Sequence, residues 1–130
     1  MLYGKNGRSV QYNGTHGNLS VAVLALSAAA IAAGTPVVMG EFDSKITVVG
    51  YRVDHAALGV GTSIDLGLMF YGGKVAQEDA IADGLATVSG GSKEMAKAPV
   101  VVDEHCALTL IPRGGAITGD VTVTLFYTNT

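Results

Sequence analysis

Three histidines, one cysteine and a few grouped carboxylates are the residues of this 130-residue chain whose types could do chemistry. His16 lies in a stretch rich in Gly and Asn, while His55 and His105 fall at the ends of apolar segments. None of them forms HxxxH or HExxH, and Cys106 has no second cysteine at metal-ligand spacing. The densest polar cluster is Asp103-Glu104-His105-Cys106. A Cys/His pair is the right chemistry for a nucleophile and its base. On a strand, however, neighbouring side chains point to opposite faces, so this pair cannot readily meet. Cys106 is expected to fill the core as a small hydrophobe. Gly90-Gly91-Ser92-Lys93 departs from the spacing of a phosphate loop, and Gly59-Val60-Gly61 stops short of GxGxxG; both read as turns that need positive φ. The spacing of Glu78-Asp79 makes these carboxylates diverge on a helix. The expectation is no catalytic, cofactor-binding or metal-binding residue, no cofactor and no enzyme.

Composition points the same way. Charged residues make up 15% of the chain and hydrophobic ones 48%, with 18 Gly and no Trp, which describes a folded domain and not a disordered one. A net charge of −3 argues against a nucleic-acid partner, which normally meets a basic patch. The apolar run Val21 to Ala33 has the outline of a signal peptide, with Lys5 and Arg8 upstream, but its flanks are rich in turn formers. It is also too short to cross a membrane, so no membrane partner is expected and a structural segment is the reading. Thr122, Thr124 and Thr128, with Ser89, Ser92 and Thr130, supply hydroxyls where a free-standing monomer more often carries Lys and Glu. That suits surfaces that pack on other subunits, although a secreted β-domain can share it.

The elements that would position these residues are mostly strands. Residues Lys45 to His55 place Thr47, Val49, Tyr51, Val53 and His55 on one parity, and Thr62 to Tyr71 places Ile64, Leu66, Leu68 and Phe70 in phase. With a Gly-bearing loop between them they read as a long hairpin. Gln77 to Asp83, acidic at its start and followed by Gly84, reads as a two-turn connecting helix. His105 to Ile111 and Asp120 to Thr128 alternate again, and the Val21 run, Pro36 to Met39 and Val100 to Val102 complete six or seven strands. The fold class expected is all-β: a β-sandwich or jelly-roll-like barrel over residues 19–130, with one short helix. Residues 1–18 are interrupted by Gly and Asn, and read as a loose terminus, an extra edge strand or an extended N-terminal arm that docks on a neighbour.

From Leu24 to Tyr127 the order of features resembles small β-sandwich structural proteins of tailed-phage virions, above all capsid decoration (cement) proteins. The turn Ala32-Ala33-Gly34-Thr35-Pro36 is followed by ITVVGYRVDHAALGVGTSIDLGL, then AQEDAIADG, a Gly/Ser loop, and ALTLIPRGGAITGDVTVTLFYT. The resemblance implies a non-enzymatic subunit on the capsid surface of a virion. Its partners would be the major capsid protein shell and copies of itself, as a trimer or other homo-oligomer. Within the arm, Leu2, Tyr3, Arg8 and Tyr12 would make the contacts, aromatics and Arg being enriched at interfaces. A tail or baseplate component and a secreted carbohydrate-binding module stand as alternatives; the absence of Trp counts against the second.

Overall fold

The computed structural model describes residues 2–4, 19–42, 45–87, 90–94, 100–102 and 104–129. Among them run ten strands and no helix: β1 (Leu2–Tyr3), β2 (Leu19–Ile31), β3 (Val37–Phe42), β4 (Ile46–His55), β5 (Ser63–Phe70), β6 (Gln77–Ala86), β7 (Gly91–Glu94), β8 (Val100–Val102), β9 (Cys106–Arg113) and β10 (Ile117–Asn129). They form two sheets. Sheet A has the order β1-β3-β9-β5-β6; sheet B has the order β2-β10-β4-β7, with β8 also paired to β4. All pairings are antiparallel except that of β1 with β3.

The chain passes from sheet to sheet at nearly every connection, and of the consecutive strands only β5 and β6 pair with each other. This corrects the expected hairpin of β4 and β5, which lie in opposite sheets. Two strands that each bury one face give the same alternation whether they pair edge to edge or oppose each other across a core. The loop between them is instead fixed across the end of the sandwich. Ala56 N donates to Asp120 O at 3.0 Å, Leu58 N to Thr87 O at 2.9 Å and Thr118 N to Leu58 O at 3.1 Å. The buried Thr62 hydroxyl donates to Gly59 O at 2.8 Å and lies 2.9 Å from that of Thr87.

The second correction is the helix expected at Gln77 to Asp83, which is the first part of edge strand β6. Register shifts interrupt its pairing: Ile64, Leu66 and Leu68 face Leu85, Ala82 and Gln77. The extra residues destroy the period of two, and acidic residues before a glycine then imitate a capped helix. A third correction concerns β4. Phe126 faces Gly50 and Tyr127 faces Val48, so Val49 is an inserted bulge residue. The bulge exchanges the faces, burying Ile46 and Val48 with Tyr51 and Val53 while Val49 is exposed.

Between the sheets the inward side chains form one core. Leu24, Val48, Val53, Val123 and Leu125 from sheet B meet Met39, Ile64, Leu66, Leu108 and Leu110 from sheet A. Phe42 and Tyr127 close one end of the core edge to face, with ring centroids 5.3 Å apart. The extended arm is not supported where it begins. Leu2 and Tyr3 pair with Val37 and Val38 inside sheet A, and Gly4 N donates to Val38 O at 2.7 Å. The rest of the expected arm, with Arg8 and Tyr12, lies outside the described residues.

Candidate interaction surface

The structure separates the residues that could have formed a nucleophilic pair. Cys106 points into the core and is fully buried; burial, and then the nearby Glu104 carboxylate, push its thiol up to about 12. At any ordinary pH it is a protonated filler of space. His105 lies on the opposite side of β9, where its ring stacks on Tyr71 at 4.4 Å and its Nε2 stands 3.9 Å from Glu41 Oε2. Burial, followed by the charge of Glu41 and a hydrogen bond to it, pushes the Tyr71 hydroxyl up to about 12. His55 is buried, with Nδ1 2.9 Å from Ala56 O. His16 and Asp103 lie outside the described residues. Among the described residues no group of three or more His, Cys, Asp or Glu side chains is arranged to hold a metal.

One ionic cluster was not legible as such. Arg113, at the end of β9, sends Nε to Asp65 Oδ2 and Nη2 to Glu78 Oε1, each at 3.0 Å, and Asp65 Oδ1 accepts from Gly84 N at 2.7 Å. The hydrogen bond to Asp65, then the one to Glu78, raise the already high Arg113 pKa further. Arg113 thus ties the bulged edge strand β6 to β5 and β9, beside a cavity of about 650 Å³ that Asp79 and Gln77 also line. Both carboxylates are already engaged by Arg113, so the cluster reads as a brace. The signal in the sequence was Asp65 itself, a carboxylate inside the apolar run TSIDLGLMFY that needed a cation.

Hydrophobic groups turned outward are more informative. On the outer face of sheet B, Leu19, Val21 and Val23 are 61%, 53% and 57% exposed. Across the sheet the register sets Leu19 beside Thr128 and Thr47, Val21 beside Phe126 and Gly50, and Val23 beside Thr124 and Arg52. Val101, exposed, extends the first row beyond Thr47, and bulged Val49 joins the second. Charge enters the face at the Val23 row, where Arg52 pairs with Asp54 at 3.1 Å, and farther along Ser27 Oγ donates to Asp120 at 3.0 Å; exposed Lys45 precedes Thr47 at the Leu19 end. Leu2 and Tyr3, the two expected contact residues that are described, are exposed at a different place. They line a groove of about 360 Å³ with Ala29, Ala30 and Thr35. The bare face was half legible: the Thr parity of β10 marked it, but the Val21 run drew attention as a leader-like segment.

No family model matches the chain, and no curated protein matches it. Solved structures do share its fold. The chain superposes on one from the capsid of Ralstonia phage GP4 with a TM-score of 0.79 and 15% identity, over 98% of this chain and 97% of the other. A chain of the cyanophage Pam1 capsid asymmetric unit gives 0.66 at 15% identity, over 94% and 92%. One from the capsid of Helicobacter pylori bacteriophage KHP30 gives 0.63 at 12%, over 88% and 90%. At such identities the likeness is one of fold: an all-β, two-sheet architecture found in phage capsids, matched from end to end.

Proposed function

We propose that this chain is a non-enzymatic structural protein of a bacteriophage virion, a head decoration subunit that binds the assembled shell and stabilises it. The observation that carries the reading is the reciprocal match with the Ralstonia phage capsid chain, in which each chain spans nearly all of the other. The match therefore takes in nearly the whole sandwich of each chain. The site chemistry agrees, since the Cys106 thiol is held protonated and Arg113 is engaged in bracing β6. Such a role needs surfaces and no reaction. A protein that binds only the assembled shell shifts the equilibrium toward it by mass action, and weak contacts repeated over one lattice add through avidity. Leu2 and Tyr3, with Arg8 and Tyr12 in the same opening segment, are the contacts toward the shell.

Co-sedimentation of the purified chain with mature heads of its phage, and with unexpanded procapsids as control, tests this. Saturable binding to mature heads alone is expected, and the double variant Arg8→Ala/Tyr12→Ala is expected to weaken it by about tenfold or more. No binding to either particle sinks the decoration role and moves the assignment to a tail component or a glycan-binding module.

A further inference from the structure

We infer that the outer edge of β2 pairs with the same edge of a second copy of this chain, antiparallel about a two-fold axis at Val21, so that sheet B runs on into its partner's sheet B. The choice of occupant rests on the reading of the chain as a virion subunit, which works among many copies of itself.

The molecule treats its strand edges unequally. An edge offers unpaired N–H and C=O groups to any other strand, and proteins close such edges with short strands, charges or bulges. Edge strand β1 has two residues, and β7 and β8, on the far side of sheet B, have four and three. Edge strand β6 is long, but it carries Glu78, Asp79 and Asp83 and its register slips twice. Strand β2 has 13 residues with neither charge nor proline, and among the described residues no strand pairs with its outer side.

Part of this edge is closed within the chain. A Cβ on Gly4 would stand 3.0 Å from Ala25 O, so the Gly4 backbone comes up against the edge there, and Ala25 is already engaged. Farther on, the register slips near Ala30. What stays open is Leu19 to Val23, about the length of an ordinary strand. The approach of Gly4 also fixes which groups face outward. Ala25 O points away from β10, and the pairing with β10 is unbroken from Leu19 to Ala28. The N–H and C=O groups of Leu19, Val21 and Val23 therefore point outward too.

A two-fold axis at Val21 sets this residue opposite its own copy, Leu19 opposite the partner's Val23, and Ser20 opposite the partner's Ala22. Val21 and the pairs of Leu19 with Val23 on either side of it then exchange both backbone hydrogen bonds. On the outer face the exposed Leu19, Val21 and Val23 gain apolar cross-strand neighbours. Arg52 and Asp54 on β4 and Asp120 on β10 stay in water, because an edge contact does not cover the face. Charge selects the occupant. A strand that meets its own copy sets like side chains near one another around the axis, and like charges directly opposite destabilise a sheet. Strand β2 meets that condition along its whole length. A charged strand from another protein would find no opposite charge on β2 to set its register.

Disulfide trapping of the full chain tests the inference without any phage particle, and it suits a contact too short for a tight dimer. Val21→Cys places two thiols across the axis with Cα atoms about 5.5 Å apart, within reach of a disulfide. Cys106 is buried and its thiol is pushed up to about 12, so it does not compete. Under mild oxidation Val21→Cys is expected to form a covalent dimer at least about tenfold faster than Val60→Cys, at a loop position that is still more exposed. Register gives a second check: Leu19→Cys and Val23→Cys chains should cross-link with each other faster than either does with itself. Should these variants fail to fold, amide exchange of the wild-type chain decides. The Val21 and Val23 amides should exchange more slowly at about 1 mM than at about 20 μM. Trapping of Val21→Cys no faster than that of Val60→Cys, or amides that ignore concentration, overturns the inference. A trapped dimer in a protein that ignores phage heads upholds the edge pairing and removes the decoration role. A head-binding protein that is not trapped keeps that role and loses the pairing.

Discussion

The two outer faces of the sandwich differ more than its two sheets do. On the outside of sheet A, Val38, Ala107, Thr109 and Ile111 are buried, Ile111 at 1% and Thr109 at 4% exposure. The backbone of Gln77 and Glu78 lies against Gly67, and Arg113 covers Asp65. On the outside of sheet B, Leu19, Val21 and Val23 of edge strand β2 stand more than half exposed, and Thr122, Thr124 and Phe126 of central strand β10 are half-buried. The second face of sheet A is therefore largely buried within the chain. Sheet B keeps apolar side chains in water on its outer face. A single chain gains little from solvated Leu19, Val21 and Val23, so the two faces carry their apolar groups in opposite environments.

The sharpest way to break this contrast is to place the same charge on each face. Ile111→Lys buries an ammonium beside apolar neighbours and is expected to cost more than about 4 kcal/mol, enough to leave little folded protein. Val23→Lys should change unfolding free energy by less than about 0.5 kcal/mol in the monomer. Urea titrations monitored by circular dichroism, at concentrations low enough to keep the chain monomeric, give both numbers. If Ile111→Lys folds with ordinary stability, the outside of sheet A is not a buried layer.

Glycine offers a gentler version. A methyl group at Gly67 would run into the backbone of Gln77 and Glu78, which cannot move without undoing the β5–β6 pairing. Gly67→Ala is expected to destabilise by about 3 kcal/mol. At Gly50, on the bare face, the same methyl meets only the Phe126 ring edge at 3.6 Å. Gly50→Ala should be neutral or stabilise by about 0.5 kcal/mol, because the unfolded chain loses freedom and no contact is strained. Equal losses at the two positions would show that both faces are covered.

These faces also mark where the sequence could be read and where it could not. The all-β class was legible because β5 and β10 keep strict alternation, and the core residues Ile64, Leu66, Leu68, Val121, Val123 and Leu125 fall on the expected parity. Strand β9 was legible as a strand, but its alternation Cys106, Leu108, Leu110 against Ala107, Thr109, Ile111 suggested one buried face where the structure buries both. Small and apolar residues on the second parity are compatible with either state. The β4–β5 hairpin failed because alternation does not say which sheet a strand joins, and the other misses fell at bulges. The extra residue at Val49 reversed the face of half of β4, and the shifts in β6 erased its period and let a helix signal stand in its place. The bare outer face of sheet B was legible only as composition, in the threonines of β10. Its apolar half, on β2, showed the same Val and Leu spacing that a core strand would show.

Bulges supply the smallest and most local test, because each face handles one differently. In β6 the extra residue beside Leu85 is accommodated with Gly84 at φ +68°, a conformation glycine adopts without strain. In β2 the register slips between the pairs Ile117–Ile31 and Gly119–Ala28, and the residue driven into the left-handed region is Ala30, at φ +51°. An alanine there costs about 1 kcal/mol relative to an unstrained backbone. Ala30 N is held by Thr118 Oγ1 at 3.1 Å, and the residue borders the groove that Leu2 and Tyr3 line. Ala30→Gly is therefore expected to raise stability by about 0.5–1 kcal/mol, and Gly84→Ala to lower it by a similar amount. Thermal melts of the two variants decide the matter. A destabilised Ala30→Gly would mean that the methyl group, and not the backbone alone, holds the end of β2 in place, and that the bulge contributes packing at the rim of the bare sheet.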